Sequence, residues 1–148
     1  MMRVKHVPTI STLTIGEGYS RLADHPEFLD QPLYRDTLEA EERQRLKTEE
    51  SAKQKENRWA AWMKVMTPVA QDNMKRLNDV GKDIVAAGTD QSSGPALQRE
   101  LELLVGGGIS PADAIVIATR NAARALGKLD ELGHDRGRQA RRRRAAES

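Results

Sequence analysis

Apolar residues in this chain come in short bursts set between long polar stretches, and each burst has its own period. Residues 6–12 (HVPTIST) are rich in β-branched side chains and predict a short strand. Pro8, near its start, restricts it to a sheet edge or a first strand position. Residues 16–36 carry Gly, Pro and Asp among short apolar pieces and read as loop-rich. Residues 37–66 are helical in pattern, yet 39–58 hold twelve charged side chains among twenty, with Leu46 the only large aliphatic. Such a helix faces solvent nearly all round. Trp59, Trp62, Met63 and Met66 then fall at i, i+3, i+4 and i+7, a stripe that predicts docking of this end into a core rather than the lining of a ligand pocket.

Thr67-Pro68 predicts an N-cap followed by Pro at the first position of a new helix. That helix runs to about Val80, turns Val69, Met74 and Leu77 inward and stops at Gly81. Residues 83–87 predict a second strand. Leu97, Leu101, Leu104 and Val105 mark the inward face of a helix closed by Gly106-Gly107-Gly108. No strand precedes the Gly triplet and no Lys-Ser/Thr follows it, so it reads as a C-cap and not as a phosphate loop. Ser110-Pro111-Ala112-Asp113 has the form of an N-cap, with Ala114, Ile115, Ala118 and Ala122 inward and Gly127 at the end. Strand, helices, strand, helices is the order of a parallel α/β architecture.

Composition narrows the picture. Of 148 residues, 38% are hydrophobic, 3% aromatic and 31% charged, which is thin for a self-sufficient core. There is no cysteine, which removes disulfides and thiolate metal sites. No apolar run reaches the roughly 18 residues that span a bilayer, and the first residues lack the apolar segment of a secretory signal. A cytoplasmic location is the expectation. The net charge of +2 is uneven: residues 133–148 hold six Arg against Asp135 and Glu147.

Candidate chemistry centres on IVAAGTD (residues 84–90), an apolar run that ends in a carboxylate. Taken alone, Gly-Thr-Asp after a strand is more often a turn or a cap than a site. The residues that follow alter that weighting. Gly88, Thr89 and Asp90, then Glu100-Leu101, then Gly108-Ile109-Ser110-Pro111, then Ala118, Thr119, Asn121, Ala123, Leu126 and Gly127 together resemble the amidohydrolase superfamily, near its imidazolonepropionase-like and prolidase-like members. The resemblance covers roughly residues 4–132, is strong over 84–132 and is weak over 20–66. It implies the C-terminal part of a (β/α)8 barrel, with the last two strands and their helices. It implies metal-dependent hydrolysis of C–N bonds in amide, cyclic amide or peptide-like substrates, with a divalent metal, zinc above all, in the complete enzyme. A metal-bound water has a pKa lowered towards neutrality, and a carboxylate in reach takes its proton and returns it to the leaving nitrogen. Asp90 is the position that matches this catalytic and metal-associated residue, with Thr89, Gln91 and Ser92 placed near substrate.

The chain departs from that pattern in one decisive way: it has no His-x-His. Its histidines are His6, His25 and His134, each read as structural or solvated. One carboxylate does not hold a catalytic zinc, which takes three protein ligands, so the chain by itself is expected to be inactive and to bind no metal. A complementing chain or a homo-oligomer is the expected partner, and a membrane is not. Residues 133–148 read as a disordered basic tail. One allowed choice of codons for them, read one base later, spells GTIEAGKRADVVLLN, which resembles the family's continuation, so a frame-shifted translation is a second reading of the tail. A small helical interaction protein, or a nucleic-acid binder using the charged helix and the Arg cluster, is the alternative from another class, with nucleic acid the less favoured partner.

Overall fold

The computed structural model describes residues 7–91 and 94–133. Strand β1 (Thr9–Ser11) leads into helix α1 (Leu13–Asp24), a 3-10 turn (Pro26–Asp30) and a short α2 (Pro32–Thr37). A charged rod follows, made of α3 (Ala40–Arg45), a π-helical turn (Leu46–Glu50) and α4 (Ser51–Glu56). Helix α5 (Arg58–Val80) crosses the molecule to β2 (Val85–Ala87), and α6 (Gly94–Gly106), α7 (Pro111–Val116), a second π-helical turn (Ile117–Asn121) and α8 (Ala122–Ala125) complete the order. The two strands pair in parallel, with Thr9 opposite Val85, Ile10 opposite Ala86 and Ser11 opposite Ala87. The fold is thus helix-rich with two short parallel strands.

Alternation along the strands puts Val85 and Ala87 on one face of this pair and Ile10 on the other. The Val85 face meets the helices: Val85 joins Leu13, Leu103, Leu104, Ile109, Ala114 and Ile117 in the main apolar cluster. Ile10, on the other face, is 49% exposed. Gly108 adopts φ 91° at the end of α6, a conformation that favours glycine. Ser110 caps α7, its Oγ accepting from the Asp113 amide at 3.1 Å. These two ends follow the expectation from sequence.

Several expectations need correction. Residues 16–36 are mainly helical, not loop-rich. Gly16 and Gly18 do not punctuate there. They lie within α1, and a Cβ at Gly16 would stand 2.8 Å from Met63 Sδ, so glycine permits the close approach of α1 to α5. Pro26 and Pro32 each begin a helical segment, where the missing amide does no harm. Thr67-Pro68 starts no new helix, because α5 runs through it. Positions 64 and 68 both lie on the exposed side, so the carbonyl deprived of its amide partner by the proline faces solvent. The real break comes at Asn57, whose Oδ1 accepts from the Trp59 amide at 2.9 Å and caps α5.

Inward faces also differ from those predicted. Trp59 and Trp62 stack on one another, ring centroids 4.7 Å apart, but stay 49% and 48% exposed. Ala60 and Thr67 are the buried positions on that stretch. Val69 is exposed, as are Leu97, Val105 and Ile115. The inward face of α6 is built from Ala96, Glu100, Leu103 and Leu104, and that of the last helical stretch from Ala114, Ile117, Asn121 and Ala123. In both, a polar residue stands at the centre of the buried face and hides it from a hydrophobic-period reading. Among the described residues no helix is long and apolar enough to cross a membrane.

Candidate functional site

Parallel strands deliver their C-terminal ends to the same side, so the segments after Ser11 and after Ala87 form one rim. Its first half is organised by Glu100. This carboxylate is fully buried and accepts from the Leu13 amide at 3.1 Å, the Thr14 amide at 2.8 Å and the Thr14 hydroxyl at 2.9 Å. The Ser11 hydroxyl donates a further, very short bond to it. Leu13 and Thr14 are the first residues of α1, whose leading amides have no partner within the helix. Thr12, the residue before that helix, makes no side-chain cap. A carboxylate reaching across from α6 supplies the cap, and it also favours the positive end of the helix dipole.

The second half of the rim carries the candidate residues. Asp90 is exposed and sits at φ 52°, a left-handed conformation that Asp tolerates better than most residues. The turn is closed beneath it by Thr89, whose hydroxyl accepts from the Gln91 amide at 3.2 Å and donates to the Gln91 carbonyl at 2.8 Å. Among the described residues, none hydrogen-bonds or ion-pairs with the Asp90 carboxylate. The Gln91 side-chain amide reaches the Thr14 carbonyl at 3.5 Å, and the Thr14 hydroxyl lies 3.5 Å from the Thr89 carbonyl. The two halves of the rim therefore touch through Thr14. Ser92, the fourth candidate, lies outside the described residues, as do His6, His134 and the basic tail beyond Gly133.

A cavity of about 410 Å³ opens beside Gln91, lined by Thr14, Glu17, Arg21, Tyr34 and Arg99 among others, and not by Thr89 or Asp90. Its charges are internally paired. Arg99 donates to Glu17 at 2.8 Å and to Glu102 at 2.8 Å. Burial alone would lower the Arg99 pKa, but these two carboxylates outweigh it and leave the guanidinium raised. Arg21 stacks over Phe28 at 4.0 Å and donates to the Tyr34 hydroxyl at 3.2 Å. With both arginines so engaged, the cavity offers little free charge to a ligand.

Among the described residues no three His, Cys, Asp or Glu side chains are grouped so as to hold a metal ion. Asp90 stands by itself among the described residues, which therefore do not make up the three-ligand set of a catalytic zinc. Sequence reasoning gave no role to two buried polar residues, Glu100 at the rim and Asn121 at the other end of β2. Both are among the residues that carry the resemblance, but a polar residue amid a helical apolar face carries no local sign of its tertiary partner. Asn121 Nδ2 donates to the Lys82 carbonyl at 2.7 Å and to the Val85 carbonyl at 2.8 Å, which ties the second π-helical turn to the start of β2. No protein-family model matches the chain, and no curated protein or solved structure matches it at a significant level.

Proposed function

We propose that residues 1–132 are the C-terminal portion of an amidohydrolase-like (β/α)8 enzyme that hydrolyses C–N bonds in amide, cyclic amide or peptide-like substrates, with Asp90 as its proton-transfer carboxylate. The observation that carries this reading is the placement of Asp90. It follows the C-terminal end of a strand that pairs in parallel with its neighbour, exposed and bonded to no described residue, on a turn braced by Thr89. The carboxyl ends of parallel strands are where barrel enzymes keep their chemistry. An unpaired carboxylate is free to accept a proton from an attacking water and to pass it to the leaving nitrogen. Thr89, Gln91 and Ser92 then border the substrate. The described residues do not fit a metal on their own, so in this reading the metal-holding groups belong to the rest of the barrel and this chain alone is inactive.

The test begins with the genomic DNA on both sides of the coding region. The reading expects a His-x-His-bearing frame upstream, in phase or displaced by one base, and recovery of the ADVVLL segment downstream. The polypeptide made by joining those frames is expected to hydrolyse amide-type substrates, and Asp90→Asn is expected to lower its kcat by about 10²–10⁴-fold with the fold intact. Flanking DNA that encodes no such frame would overturn the reading. So would a joined enzyme with undiminished turnover after Asp90→Asn.

A further inference from the structure

Two braces meet at the Asp90 turn, one local and one reaching across the fold. The local brace is Thr89, whose hydroxyl holds the amide and the carbonyl of Gln91. The other comes from the junction of β1 and α1. The Gly88 amide donates to the Ser11 carbonyl at 2.7 Å, which pins the chain two residues before Asp90. Gln91, just after Asp90, turns its side-chain amide to the Thr14 carbonyl at 3.5 Å, and the Thr14 hydroxyl stands 3.5 Å from the Thr89 carbonyl. Asp90 is thus flanked on both sides by residues seated on Ser11 and Thr14.

The fit at these seats is close. A Cβ at Gly88 would stand 2.6 Å from Ile10 Cγ2, and one at Gly18 would stand 3.3 Å from Gln91 Nε2. Neither glycine has a positive φ, so close approach is what each permits. Ser11 and Thr14 are themselves held by a single side chain. Glu100 Oε1 accepts from the Ser11 hydroxyl and the Leu13 amide, and Oε2 accepts from the Thr14 amide and hydroxyl. Both residues are buried, where polar groups depend on the protein partners that satisfy them.

We propose that Glu100 is a positioning residue for Asp90, acting through Ser11 and Thr14, which rests on the reading of Asp90 as the proton-transfer carboxylate. A left-handed residue other than glycine persists where its surroundings over-determine it. A proton-transfer group must also lie within hydrogen-bond reach of the proton it takes, and a small displacement of such a group costs rate. The turn that carries Asp90 therefore has to be set against the fold as well as closed on itself. An ionised carboxylate suits the task because it only accepts and has lone pairs for all four donors. Each of its oxygens meets one backbone amide and one hydroxyl. A glutamine in its place would turn its NH2 against a backbone amide whichever way it faced.

NMR of the isotope-labelled 148-residue chain tests this with two readouts. The Asp90 carbon shifts report its left-handed backbone. Exchange of the Gly88 amide is compared with that of the Gly81 amide, which is bonded to the Leu77 carbonyl at 3.1 Å before β2. Glu100→Gln is expected to move the Asp90 shifts and to speed Gly88 exchange at least about tenfold more than Gly81 exchange. Thr14→Val is expected to give the same change in smaller measure, and Thr14→Ser to restore the parent spectrum. This second pair decides should Glu100→Gln fail to fold. Equal acceleration of both amides would make Glu100 merely structural and overturn the proposal. Asp90 shifts left unchanged would overturn it too, since Thr89 alone would then set the turn. In the joined enzyme, Glu100→Gln is expected to lower kcat about tenfold or more with KM little altered. A joined enzyme that needs Asp90 but keeps its full kcat after Glu100→Gln overturns the positioning role and spares the hydrolase reading.

Discussion

The two halves of the rim each present a carboxylate at the end of a strand, and the two groups could hardly be used more differently. Glu100 is wholly buried and is met by two backbone amides and two hydroxyls. Asp90, across the Thr14 contact, is exposed, held in a left-handed turn and bonded to no described residue. A carboxylate satisfied four times over in a dry site is committed to holding structure, since removing it leaves buried backbone amides unpaired. A carboxylate with no described partner, on a braced turn, keeps its hydrogen-bonding capacity unspent among those residues. Position at a strand end therefore does not tell a structural carboxylate from an available one; the partners around it do.

The largest effect is expected where the comparison is broken outright. Glu100→Ala strands four donors at the head of α1 and should lower the unfolding free energy by roughly 3–5 kcal/mol, read from urea denaturation followed by circular dichroism. A loss under about 1 kcal/mol would mean that Glu100 does not fasten the rim. Asn121→Ala removes the bonds to the Lys82 and Val85 carbonyls and is expected to lose about 2 kcal/mol by the same measurement. Asp90 sharpens the contrast from the other side. Asp90→Gly relieves a left-handed residue and removes no partner, so stability should hold or rise by up to about 1 kcal/mol. A clear loss there would show that Asp90 is structural after all.

The smallest effect concerns acid. The Asp24 and Asp30 carboxyls are held below their usual 3.8, first by hydrogen bonds from Lys64 and Lys47 respectively. Groups whose folded pKa is depressed add stability above the unfolded value and lose it as pH falls through the folded one. These surface pairs, which pin α5 to α1 and the charged rod to the 3-10 turn, therefore contribute above about pH 4 and fade below it. A Lys47→Met, Lys64→Met variant is expected to show a slightly shallower fall in stability between about pH 5 and 2. An unchanged acid profile would remove these pairs from the account.

Much of the local structure was legible because its causes are local. A glycine at positive φ ends α6, a serine hydroxyl opens α7, and β-branched runs mark both strands. Residues 39–56 are charged throughout, and they form the solvent-facing rod that such a composition dictates. The candidate Asp90 was legible from its place after an apolar run, and the lack of a bond to it from any described residue was not.

What the amino-acid order determined by itself is the set of elements, the sites of most caps and the presence of a carboxylate after β2. Only the tertiary structure decided which faces turn inward. Ala96 and Glu100 are buried while Leu97 and Val105 stay exposed, because the inward face of α6 is chosen by the donors at the head of α1 and not by hydrophobicity alone. It likewise decided that Gly16 belongs inside a helix, since the reason for that glycine is Met63, 47 positions further along the chain. It also tied the last helical stretch to β2. Asn121 can reach the Val85 carbonyl only once a helix that begins 26 residues beyond that strand residue has folded back upon it. Side-chain hydrogen bonds across such separations depend on distances that the folded chain alone establishes.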